Sequence, residues 1–203
     1  MRIKIVRHSE RLDCTYPYIW IFYLGYYWFD TPLTTNGCKM AKEKGKEFAD
    51  NNFSPKCIYT SPYIRTYQTA TEISSIFPGT EIKVEPLLAE YQPTFKHRIT
   101  IYPEGIPCIF NGKQTEYSFP ETYEKHVERV KFIIENLIAN HGDNDDILII
   151  THAEVIRTYL QHHLAIVCPD TIINGNVINY LTTLTFQFDK KTNNIIDNSI
   201  HIE

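Results

Sequence analysis

Arg7, His8 and Arg11 fall within five residues of one another, directly after the strand-like run IKIV of residues 3–6. A packed core has no use for two guanidinium groups and an imidazole at the end of a buried strand. An anion held between them would explain all three. Three more polar residues sit in similar places: Arg65 in SPYIRTYQTA (61–70), Glu90 in EPLLAEYQ (85–92) and His152 in IITHAEVIR (149–157).

Taken together, these residue types suit a phosphomonoester. The planar guanidinium binds phosphate oxygens bidentately, so Arg7, Arg11 and Arg65 would form a cradle. His8, flanked by cations that keep its imidazole neutral, could attack phosphorus and form a phosphohistidine. His152 could donate to the equatorial oxygens as their charge develops. Glu90 is the carboxyl group placed to protonate a leaving alkoxide and then to deprotonate a water; Glu10, Glu104 and Glu116 are alternative acids. No carboxylate cluster suggests a metal, so neither a metal nor any other cofactor is expected.

These groups need elements to position them. Short β-branched runs at 4–7, 57–60, 82–85 and 147–151 read as strands buried on both faces. Helical periodicity lies between them, over 36–50, 62–77, 121–140 and 153–164. In the helix 121–140, Tyr123, Val127, Val130, Ile134 and Leu137 are the expected buried stripe, and Gly37 reads as a turn glycine before the first helix. Alternation in LTTLTFQF (181–188) reads as an edge or final strand.

Strands alternating with helices imply an α/β fold, with three layers and a mainly parallel central sheet. Ligands in such folds sit beyond the carboxyl ends of the strands. Arg7 and His8 end the first strand, Ser61 and Arg65 follow the second, Glu90 the third, and His152 the fourth. Four strand ends therefore converge on one rim.

The chain of 203 residues is expected to form a single domain. Within it, residues 91–120 carry four prolines, two glycines and no sustained period, and read as a cap inserted over the rim. The aromatic stretch 16–29, YPYIWIFYLGYYWF, is too short for a membrane span and too rich in polar-tipped rings. It reads as a packed or substrate-facing loop. The net charge of −4 gives no basic field for nucleic acid. Five cysteines without a CxxC pair, and no signal-peptide pattern, point to a cytoplasmic protein.

The blocks VRHSER (6–11), PLTTNGCKMA (32–41), SPYIRTYQTA (61–70), EPLLAEYQ (85–92), PETYEKHVERV (120–130) and IITHAEVIR (149–157) resemble, in order, those of the histidine phosphatase superfamily. That superfamily is also called phosphoglycerate mutase-like. The resemblance implies His8 as nucleophile, Arg7, Arg11, Arg65 and His152 as phosphoryl-binding groups, Glu90 as proton donor, and metal independence. RHSERLD and the turn PLTTNGC are most similar to the suppressor of T-cell receptor signalling and ecdysteroid-phosphate phosphatases. That branch implies bulky or aromatic substrates, such as phosphotyrosine or a steroid phosphate. Ser9 departs from the glycine that most of the wider family has after the nucleophile.

Two other functions fit the same scaffold: a phosphoglycerate mutase-type phosphotransferase, and a non-catalytic phosphate-binding module. EYQP (90–93) stands where mutases carry an Arg- and Tyr-rich motif, which favours hydrolysis. A twofold homodimer is the default assembly.

Overall fold

The computed structural model describes residues 1–18, 30–93, 120–164, 178–196 and 198–203. Most of the aromatic stretch 16–29 and of the cap 91–120 lies outside the described residues.

Strands β1 (Arg2–Arg7), β2 (Pro55–Thr60), β3 (Glu81–Val84), β4 (Asp146–Thr151), β5 (Thr183–Asp189), β6 (Asn194–Ile195) and β7 (His201–Ile202) form one sheet. Its order is β3-β2-β4-β1-β5-β6, with β7 also paired to β5. β1 to β4 run parallel to their neighbours, while β5 is antiparallel to β1. Every residue of β4, DILIIT, is buried, as suits a central strand covered on both faces.

Parallel pairing requires crossovers, and helices supply them. After the single turn α1 (Leu12–Thr15) come α2 (Thr35–Asp50), α3 (Ile64–Ser74), α4 (Tyr123–Ala139) and α5 (Ala153–His163). Side chains alternate across the strands and so divide between two cores. Ile3, Ile5, Ile147 and Ile149 pack with Val130 and Ile134 of α4 and Val155 and Ile156 of α5. Val6, Leu148 and Ile150 pack with Ala41 and Phe48 of α2 and Ala70 and Ile73 of α3. Each fully buried aliphatic side chain contributes roughly 1.5–3 kcal/mol. The result is the expected three-layer α/β/α arrangement.

Three sequence expectations need correction. The strand at 181–188 is neither edge nor final: β5 lies between β1 and β6, and β6 and β7 follow it in the chain. The stripe of α4 is rotated, because Tyr123 and Val127 are half-buried while His126, Arg129 and Ile133 are buried. The polar pair that drives this rotation belongs to the site described below. Gly37 lies inside the first turn of α2 rather than before it. A Cβ there would stand 2.4 Å from the carbonyl oxygen of Glu10, so close approach, not turn geometry, requires the glycine. Thr34 caps this helix, accepting from the Gly37 N–H at 2.8 Å.

Candidate active site

The strand ends are pinned to one another. The His8 N–H donates to the Thr151 carbonyl at 2.9 Å, and the Ser61 N–H donates to that of Ile150 at 3.0 Å. The exits of β1 and β2 are thereby fixed to the end of β4, next to His152. The segment after β3, a short 3-10 turn at Pro86–Leu88, is held by three consecutive carbonyls. Arg129 Nη1 donates to those of Leu87 (2.6 Å) and Ala89 (2.9 Å), and Thr151 Oγ1 to that of Leu88 (2.8 Å). Glu90 follows immediately. Arg129 is in turn gripped by Glu121, Nε to Oε2 at 2.8 Å and Nη2 to Oε1 at 2.5 Å, with both side chains fully buried.

His8 is buried, and its Nδ1 lies 2.8 Å from the Ser9 carbonyl. A carbonyl only accepts, so Nδ1 carries the proton and Nε2 keeps its lone pair. Burial, then Arg65, Arg7 and Arg11, hold the His8 imidazole well below its ordinary range, so it is neutral at neutral pH. Ser9 is accommodated because its hydroxyl donates to the Gly37 carbonyl at 2.7 Å and its N–H to Thr69 Oγ1 at 3.0 Å.

His152 lies edge-on to His8, ring centroids 5.5 Å apart. Arg65 Nη2 reaches His152 Nδ1 at 3.2 Å and Glu90 Oε2 at 2.9 Å. Arg65 only donates, so Nδ1 accepts and the proton of neutral His152 sits on Nε2, 2.7 Å from Ser61 Oγ. Burial, Arg65, His8, Arg11 and Arg7 together hold His152 well below the usual histidine range. Arg7 lies over the Tyr180 ring, 4.7 Å from its centroid, and donates to the Ile178 carbonyl. Arg11 pairs with Asp13, Nε to Oδ1 at 2.8 Å. Among the described residues, Arg7 Nε, Arg65 Nε and Arg157 Nε are buried without a hydrogen-bond partner.

Arg11, Tyr63, Arg65, Glu90 and Tyr91 line a cavity of about 370 Å³. The six residues expected from sequence thus meet at one rim. Glu10 does not join them: its carboxylate accepts from Thr34 Oγ1 at 2.5 Å. Glu104 and Glu116 lie outside the described residues. No group of three or more His, Cys, Asp or Glu side chains among the described residues could hold a metal ion.

Other contributors escaped the sequence reading. Asp30 is buried, accepts from the Ile64 N–H at 2.9 Å and lies 3.7 Å from Arg65 Nη1. It both caps α3 and steers the arginine. Burial pushes its carboxyl up to about 6 against the pull of Arg65. Tyr63 is packed between Arg65 (4.2 Å from guanidinium carbon to ring centroid) and His152 (5.0 Å between centroids). His126, given no role from sequence, is buried beside Arg129 at 2.9 Å. Its signal was one step away, in the PETYEKHVER block that carries Glu121 and Arg129.

Fold and site define a phosphoryl-handling α/β protein, and the comparison with known families makes the class definite. Residues 5–193 match the histidine phosphatase superfamily (branch 1), and the chain belongs to that superfamily. It is thereby classed as a phosphoric monoester hydrolase. An uncharacterized phosphoglycerate mutase family protein of Acanthamoeba polyphaga mimivirus is 52% identical over 203 residues, covering 100% of this chain and 98% of that protein. Among solved structures, the ecdysone phosphate phosphatase of Bombix mori, in complex with tungstate, has a TM-score of 0.70 at 20% identity, covering 98% of this chain and 93% of that one. A phosphoserine phosphatase of Entamoeba histolytica has a TM-score of 0.62 at 19% identity, covering 98% and 96%. These two likenesses establish the phosphoglycerate mutase-like fold. No helix among the described residues is long and apolar enough to cross a membrane.

Proposed function

We propose that this protein hydrolyses phosphomonoesters through a phosphohistidine on His8, without a metal. The observation that carries the reading is a neutral His8 beside two arginines, Arg7 and Arg65, whose buried Nε donors lack partners among the described residues. Donors in that state favour an oxyanion. The phosphoryl dianion takes Arg7, Arg11 and Arg65. The Nε2 lone pair of His8 attacks phosphorus, the bond to the ester oxygen breaks, and Glu90 gives that oxygen a proton. In the second half, Glu90 takes a proton from water. The hydroxide forms the new P–O bond as the P–N bond breaks, and inorganic phosphate leaves. His152 supports the equatorial oxygens in both halves once its Nδ1, released by Arg65, has taken up a proton.

The substrate class follows as an aromatic or otherwise bulky phosphomonoester, such as phosphotyrosine or a steroid phosphate. Tyr63 and Tyr91 in the cavity wall support this, because flat rings favour a ring-bearing leaving group. Likeness to a phosphatase of ecdysone phosphate supports it as well. Cys14, Cys38 and Cys57 are free thiols, in keeping with a cytoplasmic setting. The name of the viral relative favours one other reading, mutase-type phosphoryl transfer.

Turnover of p-nitrophenyl phosphate by the parent and by His8→Ala tests the proposal. The parent should be active in EDTA and inhibited by vanadate, and His8→Ala should be inactive but folded. Brief reaction with a phosphorylated substrate should leave an acid-labile phosphoryl group on His8. Activity of His8→Ala within about tenfold of the parent contradicts the mechanism, since a lost nucleophile costs far more. Conversion of 3-phosphoglycerate to its 2-isomer, rather than to glycerate and phosphate, would select the mutase reading.

A further inference from the structure

Helix α5 starts one residue after His152, and its first turn brings Glu154 into the wall of the cavity that Arg11, Arg65 and Glu90 also line. The two arginines in that wall face carboxylates already, Arg65 with Glu90 and Asp30, and Arg11 with Asp13. Those arginines are the groups a phosphoryl dianion would take. The remaining wall, open to the rest of a substrate whose phosphoryl group sits on those arginines, consists of Tyr63, Glu90, Tyr91, Pro93 and Glu154. Arg157, one turn further along α5, donates through Nη1 to Glu154 Oε2 and fixes the carboxylate in place. The Glu154 side chain is only 24% exposed, so solvent screens its charge incompletely.

We infer that Glu154 sets charge specificity at this site: it admits phosphomonoesters whose alcohol is neutral or cationic near the ester, and rejects those carrying a second anion there. A carboxylate or second phosphate held close to Glu154 meets like charge, whereas an ammonium or hydroxyl group meets an acceptor. Discrimination by repulsion needs no added attractive contact. The inference rests on the phosphatase reading above. An acidic residue in a first helical turn also suits the helix dipole, and the pairing with Arg157 suits helix spacing. Neither of those roles would change how two substrates are ranked.

The test compares kcat/KM for 3-phosphoglycerate and phosphoethanolamine. Both are primary alkyl phosphates, so their leaving groups are alike and their charges differ. The parent should favour phosphoethanolamine. Glu154→Gln should raise the ratio of 3-phosphoglycerate to phosphoethanolamine about three- to tenfold, the range expected of one partly screened charge. Glu154→Asp should restore most of the parent ratio. Arg157→Gln, which leaves the carboxylate less neutralised, should lower the ratio, and it decides the matter if Glu154→Gln does not fold. A ratio unmoved within about twofold in both Gln variants overturns the inference while the phosphatase reading stands. Absence of phosphate release from any monoester by the parent overturns both.

Discussion

Arg65 Nη2 donates to Glu90 Oε2 at 2.9 Å, so a cation of the cradle already holds the carboxyl group assigned to protonate the leaving group. The same Nη2 faces the His152 Nδ1 lone pair at 3.2 Å. A dianion that takes Arg65 deprives Glu90 of its cation and places negative charge beside it. It also sets a phosphoryl oxygen against an accepting nitrogen of His152. A proton on that nitrogen relieves the conflict and makes it a donor to the phosphoryl oxygen.

Binding of a tetrahedral dianion is therefore expected to take up about one proton near neutral pH. Tungstate suits the experiment, because it does not itself titrate there. Calorimetry in buffers of different ionisation enthalpy reads the proton count. A binding enthalpy independent of buffer would show that His152 keeps its protonation, and His152→Asn should reduce any uptake seen.

Glu90→Gln should also separate substrates by leaving group. An alkoxide needs a proton to depart, whereas a nitrophenolate does not. The loss on an alkyl phosphate should be about 10²–10⁴-fold, and much smaller on p-nitrophenyl phosphate. Equal losses on the two would move the acid to another carboxyl group.

The parts of the site legible in sequence were those that end strands. His8, Arg65 and His152 follow apolar runs whose period and length announce a buried sheet, and parallel order places their ends on one rim. Residues whose partners are distant in sequence were not legible. Asp30 meets Arg65 only because the chain before α2 returns to the start of α3. Ser61 was placed on the rim from sequence, but its partner emerges only when β2 and β4 are paired and its hydroxyl meets His152. The rotation of α4 was hidden for a related reason. Apolar periodicity ignores a buried ion pair, so the stripe read from Tyr123, Val127, Val130, Ile134 and Leu137 left out His126 and Arg129.

That buried pair gives its own test. Glu121 and Arg129 are both fully inaccessible, so removing one partner strands a charge in the interior. Glu121→Ala should cost roughly 3–5 kcal/mol in denaturant unfolding. Glu121→Gln, which can still accept from Arg129, should cost less. In folded Glu121→Gln, loosened carbonyls at Leu87 and Ala89 should misplace Glu90, so alkyl phosphate turnover should fall more than nitrophenyl phosphate turnover. Equal falls would make the clamp purely structural.

Stability against pH gives the last expectation, and its sign follows from the two histidines. His8 and His152 lie well below 6.5 in the fold, so the unfolded chain binds their two protons first as pH falls. Stability from these groups is whole above about pH 6.5 and declines below it, by up to about 1.4 kcal/mol per pH unit for each histidine. Asp30 acts in the opposite sense. Its carboxyl is raised from 3.8 to about 6, so below that point the folded state binds one more proton there and offsets part of the decline. Unfolding free energies of single variants minus the parent, from pH 7.5 to 5, separate the groups. His8→Asn should gain on the parent as pH falls, because it has no proton to withhold. Asp30→Asn, whose amide oxygen can still cap α3, should lose ground over the same range. Differences that stay flat with pH would mean that the folded site and the open chain protonate these groups equally, and the neutral nucleophile would lose its physical basis.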